Sequence, residues 1–165
     1  MIASVIVPIV NISHKPHLCM IRRSRYLQNH PGQMGFPGGF VEKGETVFEG
    51  ALREMREEIG IGRKDFTLIS KLDNQFTLNK IEVVPYIGCI NSTSFRLSSE
   101  EVEEIYFFSV EILLRIKKDT ITMKDGRTTI KYRIGNTVIW GLSANIINNS
   151  ISVLTSISQI IQNRY

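Results

Sequence analysis

Apolar and polar positions along the chain change their rhythm several times, and each change marks an element. Ile2 to Val10 and Leu18 to Ile21 have the spacing of strands, joined by a turn within Asn11 to Pro16. Residues 22 to 38 form a long polar connection carrying glycines, a length that usually serves function. The pattern then becomes helical. Val47, Phe48, Ala51, Leu52, Met55 and Ile59 recur on one face, Thr46 with Glu49 makes a capping box, and Gly60 stands where a helix stops.

Strand spacing returns at Phe66 to Leu72 and at Ile81 to Ile90, where Pro85 predicts an edge or a bulge. Glu103 to Phe108 is β-prone and leads into a short helix, Val110 to Leu114. Thr120 to Lys124 and Thr128 to Arg133 flank Asp125-Gly126, a hairpin signal. From Trp140 to about Gln162 the apolar residues are again at helical intervals, with Asn148-Asn149-Ser150 as a candidate break. Strands interrupted by two main helices predict an α/β fold, an α/β/α sandwich around a mixed β-sheet.

Composition adds bounds. The chain has 165 residues, 42% hydrophobic and 22% charged, which suits one domain over residues 1–165 with a sizeable core. The net charge of +4 favours an anionic partner without choosing among nucleotide, nucleic acid and membrane. No basic run is interleaved with aromatics, so nucleic acid is not expected. No stretch approaches the ~20 apolar residues of a membrane span. Met1 to Val10 lacks the basic start and cleavage site of a secretory signal. Cys19 and Cys89 fall in apolar strand-like runs and read as reduced, buried thiols. A cytoplasmic protein is the expectation, and a homodimer is left open.

The chemistry is concentrated in the first helix. Glu54, Glu57 and Glu58 stand at i, i+3 and i+4, so their carboxylates converge and repel unless a cation neutralises them. Oxygen donors alone select a hard divalent ion, Mg2+ or Mn2+, the usual companion of a diphosphate. Just upstream, Phe36-Pro37-Gly38-Gly39 places bare backbone beside the helix, where Gly38 can approach a ligand and the Gly39 carbonyl can join a metal. Glu45 lies eight residues before Arg53 and is placed to hold it.

Residues 39 to 61 read G-x5-E-x7-R-E-U-x-E-E-x-G-U, with U apolar, and every fixed position is filled. This resembles the signature of Nudix hydrolases. The resemblance implies the Nudix fold and hydrolysis of a nucleoside diphosphate derivative. It makes Glu57 and Glu58 metal ligands, Glu54 a ligand or the general base, and Glu45–Arg53 a structural pair. Upstream, Arg23, Ser24, Gly32 and Phe36 to Gly39 match in register the motif of coenzyme A pyrophosphatases within the family. Glu101 to Val110 and Ile139 to Ala144 also resemble segments of those enzymes. The implied substrate is coenzyme A or acyl-CoA, cleaved to 3′,5′-ADP and (acyl-)4′-phosphopantetheine, with Arg23, Ser24, Arg25 and Gly38 as substrate-binding residues.

One departure matters. Gln28 occupies the position of a motif arginine, and an amide cannot make the charge-assisted fork of a guanidinium on phosphate. Arg22 or Arg25 is placed to supply the charge. The alternatives are a hydrolase of a dinucleotide, nucleotide-sugar or oxidised nucleoside triphosphate, or a non-catalytic nucleotide-sensing domain. One of Glu100, Glu101, Glu103 and Glu104 is a candidate further metal ligand or base. Lys124, Arg127, Lys131 and Arg133 line the expected hairpin, by default as a solvated basic face and alternatively as a contact for a 3′-phosphate.

Overall fold

The computed structural model describes residues 1–123 and 126–162. Strand β1 (Ile2–Ile12) turns at Ser13-His14, both at positive φ, into β2 (Lys15–Arg23). The two strands stay paired only near the turn, from Ile9↔Leu18 to Ile12↔Lys15, and then splay. The connection after β2 fills that gap. Its strand β3 (Met34–Gly35) pairs with β2, and β4 (Gly38–Phe40) pairs with Ala3 to Val5 of β1. The Ile6 N–H donates to Pro37 O at 2.9 Å between them. The polar run that reads as one long connection thus contains two short strands that carry the glycine loop into the sheet.

Helix α1 (Val47–Ile59) follows, then a 3-10 turn at Arg63–Asp65 and strands β5 (Phe66–Lys71), β6 (Gln75–Phe76) and β7 (Glu82–Ile90). β7 runs parallel to β1 along its whole length, while β5 and β6 pair antiparallel with its other side. Pro85 is therefore in an internal strand and not at an edge. Its carbonyl accepts from Leu72 N–H at 2.9 Å, so its missing N–H faces the interval between β5 and β6, where the ladder is already interrupted. The bulge lies on β5, between Leu68 and Ser70. β8 (Val102–Ser109) pairs with the outer side of β2 and completes an eight-stranded mixed sheet.

Alternation along β1 and β2 divides the core in two. Ile6, Val10, Cys19 and Ile21 pack with Ala51, Leu52, Met55 and Ile59 of α1. Val7, Ile9, Leu18 and Met20 face the other way, against Leu113 of α2 (Val110–Arg115) and Ile146, Ile147 and Leu154 of α3 (Leu142–Gln162). The result is the expected α/β/α sandwich.

The C-terminal third differs from its sequence reading. β9 (Asp119–Thr122) and β10 (Thr128–Ile134) form the expected hairpin, whose Lys124 and Asp125 lie outside the described residues. A third strand, β11 (Thr137–Trp140), pairs with β10 to make a separate three-stranded sheet. Trp140 ends that strand, and the helix begins only after Gly141, at φ 67°. Asn148-Asn149-Ser150 do not break α3. Ser150 is fully buried and its hydroxyl donates to Ile147 O at 2.8 Å, so its polar group is satisfied inside the helix. Among the described residues no helix is long and apolar enough to cross a membrane.

Candidate metal centre

Helix α1 starts and stops as its sequence demands. Thr46 Oγ1 accepts from Glu49 N–H at 3.2 Å, Thr46 N–H donates back to Glu49 Oε2 at 2.7 Å, and Gly60 closes the helix in the left-handed region. The buried stripe fixes the rotation of the helix about its axis. That rotation turns Glu58 inward to 1% exposure and Glu54 to a half-buried position beside it.

The glycine loop meets these carboxylates through its backbone. Gly38 N–H donates to Glu58 Oε2 at 2.9 Å. Gly39 lies so close to Glu54 that a Cβ there would stand 2.4 Å from its Oε1. Arg23, at the end of β2, brings its Nη1 to 3.9 Å from Glu58 Oε1, and its Nε is buried with no hydrogen-bond partner. From the segment before β8, Glu101 completes the group. Carboxylate oxygens of Glu54, Glu58 and Glu101 all lie within 4.8 Å of one another.

Burial raises the pKa of Glu58 to about 8; the Gly38 N–H and Arg23 oppose the rise, while Glu54 and Glu101 add to it. Glu54 is also raised, again chiefly by burial, and is held back by Arg53. The buried Glu58, the half-buried Glu54 and the exposed Glu101 repel one another, offset by Arg53 on Glu54 at 2.8 Å and by Arg23 at 3.9 Å from Glu58, and their oxygens are a donor set that a hard divalent cation fits.

The carboxylates brought together are thus Glu54, Glu58 and Glu101. Glu57, expected with them, is half-exposed and pairs with Arg53 at 3.1 Å and Arg56 at 3.9 Å. Arg53 grips Glu45 with a two-point fork, Nε to Oε2 at 3.2 Å and Nη2 to Oε1 at 3.0 Å. It also donates to Glu54 Oε1 at 2.8 Å and to Phe40 O at 2.9 Å. The pairing expected of Glu45 and Arg53 is present, and it ties the loop to the helix.

The remaining expected site residues are distributed differently. Ser24 is buried; its N–H donates to Glu101 O at 2.8 Å, and its Oγ accepts from Tyr26 N–H at 3.4 Å, so it shapes the turn. Arg25 is bound to Glu103 and opens, with Arg22, Gly32, Met34 and Asn136, on a cleft of about 370 Å³. Arg22 pairs with Glu104 at 3.7 Å and lies over the Tyr106 ring. Gln28 and His30 are exposed on the connecting loop. Trp140 is half-buried, and Lys131 pairs with Asp119 at 3.9 Å. Both cysteines are free thiols; Cys19 is buried and Cys89 partly so.

Comparison with known proteins bears on the family. The family profile described as the NUDIX domain matches residues 2–128. A probable Nudix hydrolase of Schizosaccharomyces pombe is 34% identical over 152 residues, covering 88% of this chain and 53% of the relative. The chain thus spans about half of that protein. The uncharacterized Nudix hydrolase NudL of Pectobacterium atrosepticum is 32% identical, with 88% of this chain and 79% of the relative covered. The mitochondrial coenzyme A diphosphatase NUDT8 of Homo sapiens is 30% identical over 162 residues, with 92% and 69% covered. A MutT/nudix family protein from Enterococcus faecalis shares the fold at a TM-score of 0.66 and 16% identity, over 93% of this chain and 62% of that one. With the profile covering most of the sequence and the glutamate helix intact, the chain belongs to the Nudix hydrolase family.

Proposed function

We propose that this chain is a Mg2+- or Mn2+-dependent pyrophosphohydrolase that cleaves coenzyme A or acyl-CoA. The observation that carries the reading is the convergence of Glu54, Glu58 and Glu101 beside Gly38 N–H and Arg23. Glu54, Glu58 and Glu101 would hold the metal with the Gly39 carbonyl, and Glu57 on the same helix is a further ligand by family pattern. The cation, when bound, neutralises diphosphate charge and acidifies a water.

The protein's own groups do the rest. Arg23 carries an unpartnered Nε and supplies the charge that orients a phosphate. Gly38 presents bare backbone at the same place. Glu54 is the first candidate to accept the proton of the attacking water as its oxygen bonds to phosphorus and the bridging P–O bond breaks. Arg53 steadies Glu54 and the loop together.

The substrate assignment rests on Arg23, Ser24, Gly32 and Phe36 to Gly39, and it accords with the relative named as a coenzyme A diphosphatase. Gln28 supports a second reading, hydrolysis of another nucleoside diphosphate derivative, because it removes a phosphate-binding cation. A product-resolved screen of coenzyme A, acyl-CoA, dinucleotides and nucleotide-sugars with each metal separates the two.

A further inference from the structure

Helix α1 ends with carbonyls that no residue of the helix can satisfy. The irregular segment after β7 satisfies two of them. Arg96 N–H donates to Ile59 O and Ser98 N–H to Glu58 O, both at 2.9 Å. Phe95 and Leu97 anchor the segment by packing against the α1 core, and Phe95 meets Phe107 edge-on at 5.4 Å. Gly60 permits the approach, since a Cβ there would stand 2.7 Å from Arg96 Cβ and 2.9 Å from its backbone nitrogen.

The segment then turns. Val102 N–H returns to Ser98 O at 2.8 Å, and Glu101 O accepts Ser24 N–H at 2.8 Å. Glu101, between these bonds, delivers its carboxylate to Glu54 and Glu58. Glu58 therefore acts twice: its side chain enters the carboxylate group, and its carbonyl holds the segment that carries Glu101.

Building on the metal reading above, we infer that Ser98, through its main-chain N–H on Glu58 O, and Gly60, through the room it leaves Arg96, are positioning residues that place Glu101 in the metal centre. Gly60 has no side chain, and Ser98 is not among the carboxylates grouped there. Partners behind metal ligands typically alter affinity by about ten- to hundredfold.

The test is Mn2+ affinity of the full chain by electron paramagnetic resonance, with circular dichroism confirming the fold. Ser98→Pro removes the N–H and should weaken Mn2+ binding about ten- to hundredfold, whereas Ser98→Ala keeps the N–H and should bind as the parent does. In a Glu101→Gln background, Ser98→Pro should cause no further loss. If Ser98→Pro does not fold, the same cycle with Gly60→Ala decides. Equal losses with and without Glu101, or unchanged Mn2+ affinity in Glu101→Gln, would overturn the inference. Parent-like Mn2+ affinity in Glu58→Gln would instead overturn the metal reading on which it rests.

Discussion

Gly39 and Glu54 are in contact at a distance that leaves no room for a Cβ unless the Glu54 carboxylate moves: a Cβ on Gly39 would lie 2.4 Å from Glu54 Oε1 and 2.5 Å from its carboxyl carbon. The glycine loop and the acidic helix are thus fitted to each other as backbone against carboxylate. Gly39→Ala should displace Glu54 and lower metal-dependent turnover by at least an order of magnitude. Gly35, in β3, has open space where a Cβ would go, so Gly35→Ala should retain activity. Steady-state rates of the two variants, with metal affinity by calorimetry, check the contrast.

Arg53 should couple strongly to Glu45. Their side chains are 18% and 17% exposed, so solvent screens the fork less than it screens a surface pair. A double-mutant cycle with Glu45→Ala and Arg53→Ala, read by denaturant unfolding, should give a coupling of about 0.5–3 kcal/mol. Arg53→Ala should be the more damaging single change, because Arg53 also holds Glu54, Glu57 and Phe40 O. Simple additivity would mean that the fork contributes nothing.

The buried Glu58 sets a pH dependence for the metal-free protein. Its pKa in the fold is raised from 4.5 to about 8, chiefly by burial. The folded state therefore binds the proton more tightly than the unfolded chain. The associated stability is fully present below about pH 4.5 and is lost as pH rises through about 8. Thermal unfolding in chelator should show Tm falling across that window, and Glu58→Gln should flatten the slope. An identical slope in Glu58→Gln would assign the effect to other groups.

How far the sequence reaches depends on how local the determinants are. Helix α1 was legible because Thr46, Glu49 and Gly60 act within a few residues of one another, and the apolar stripe alone fixes which way Glu54 and Glu58 face. The choice of Glu101 from its acidic neighbours was not. It depends on Ser98 meeting Glu58 O forty residues earlier in the chain, which no local spacing encodes. Strand β11 was hidden because Ile139 and Trp140 continue the apolar spacing of α3, and only Gly141 separates them. Glu57 has the helical spacing of a ligand, and in this structure it is paired with the Arg53 and Arg56 guanidiniums instead of grouped with Glu54 and Glu58.

Substrate affinity should respond to Gln28. It is exposed on the connecting loop, where the related motif carries arginine. A charge-assisted hydrogen bond to phosphate contributes roughly 1.5–3 kcal/mol, so Gln28→Arg should lower the KM for coenzyme A about tenfold or more. Dephospho-coenzyme A should be a somewhat poorer substrate only if the basic residues of the hairpin read the 3′-phosphate. An unchanged KM would show that position 28 does not face the phosphates.

Metal-dependent cleavage of the coenzyme A diphosphate by the carboxylate group around Glu58 is the activity proposed for this chain. Its most direct test is chromatographic resolution of products from coenzyme A incubated with Mg2+ or Mn2+, with and without excess chelator, for the parent and for Glu58→Gln. The expected products are 3′,5′-ADP and 4′-phosphopantetheine from the parent, with none in chelator and a rate lower by orders of magnitude in Glu58→Gln. Turnover that survives both chelation and Glu58→Gln would contradict it, and so would inert coenzyme A and acyl-CoA at millimolar concentration beside a hydrolysed dinucleotide or nucleotide-sugar.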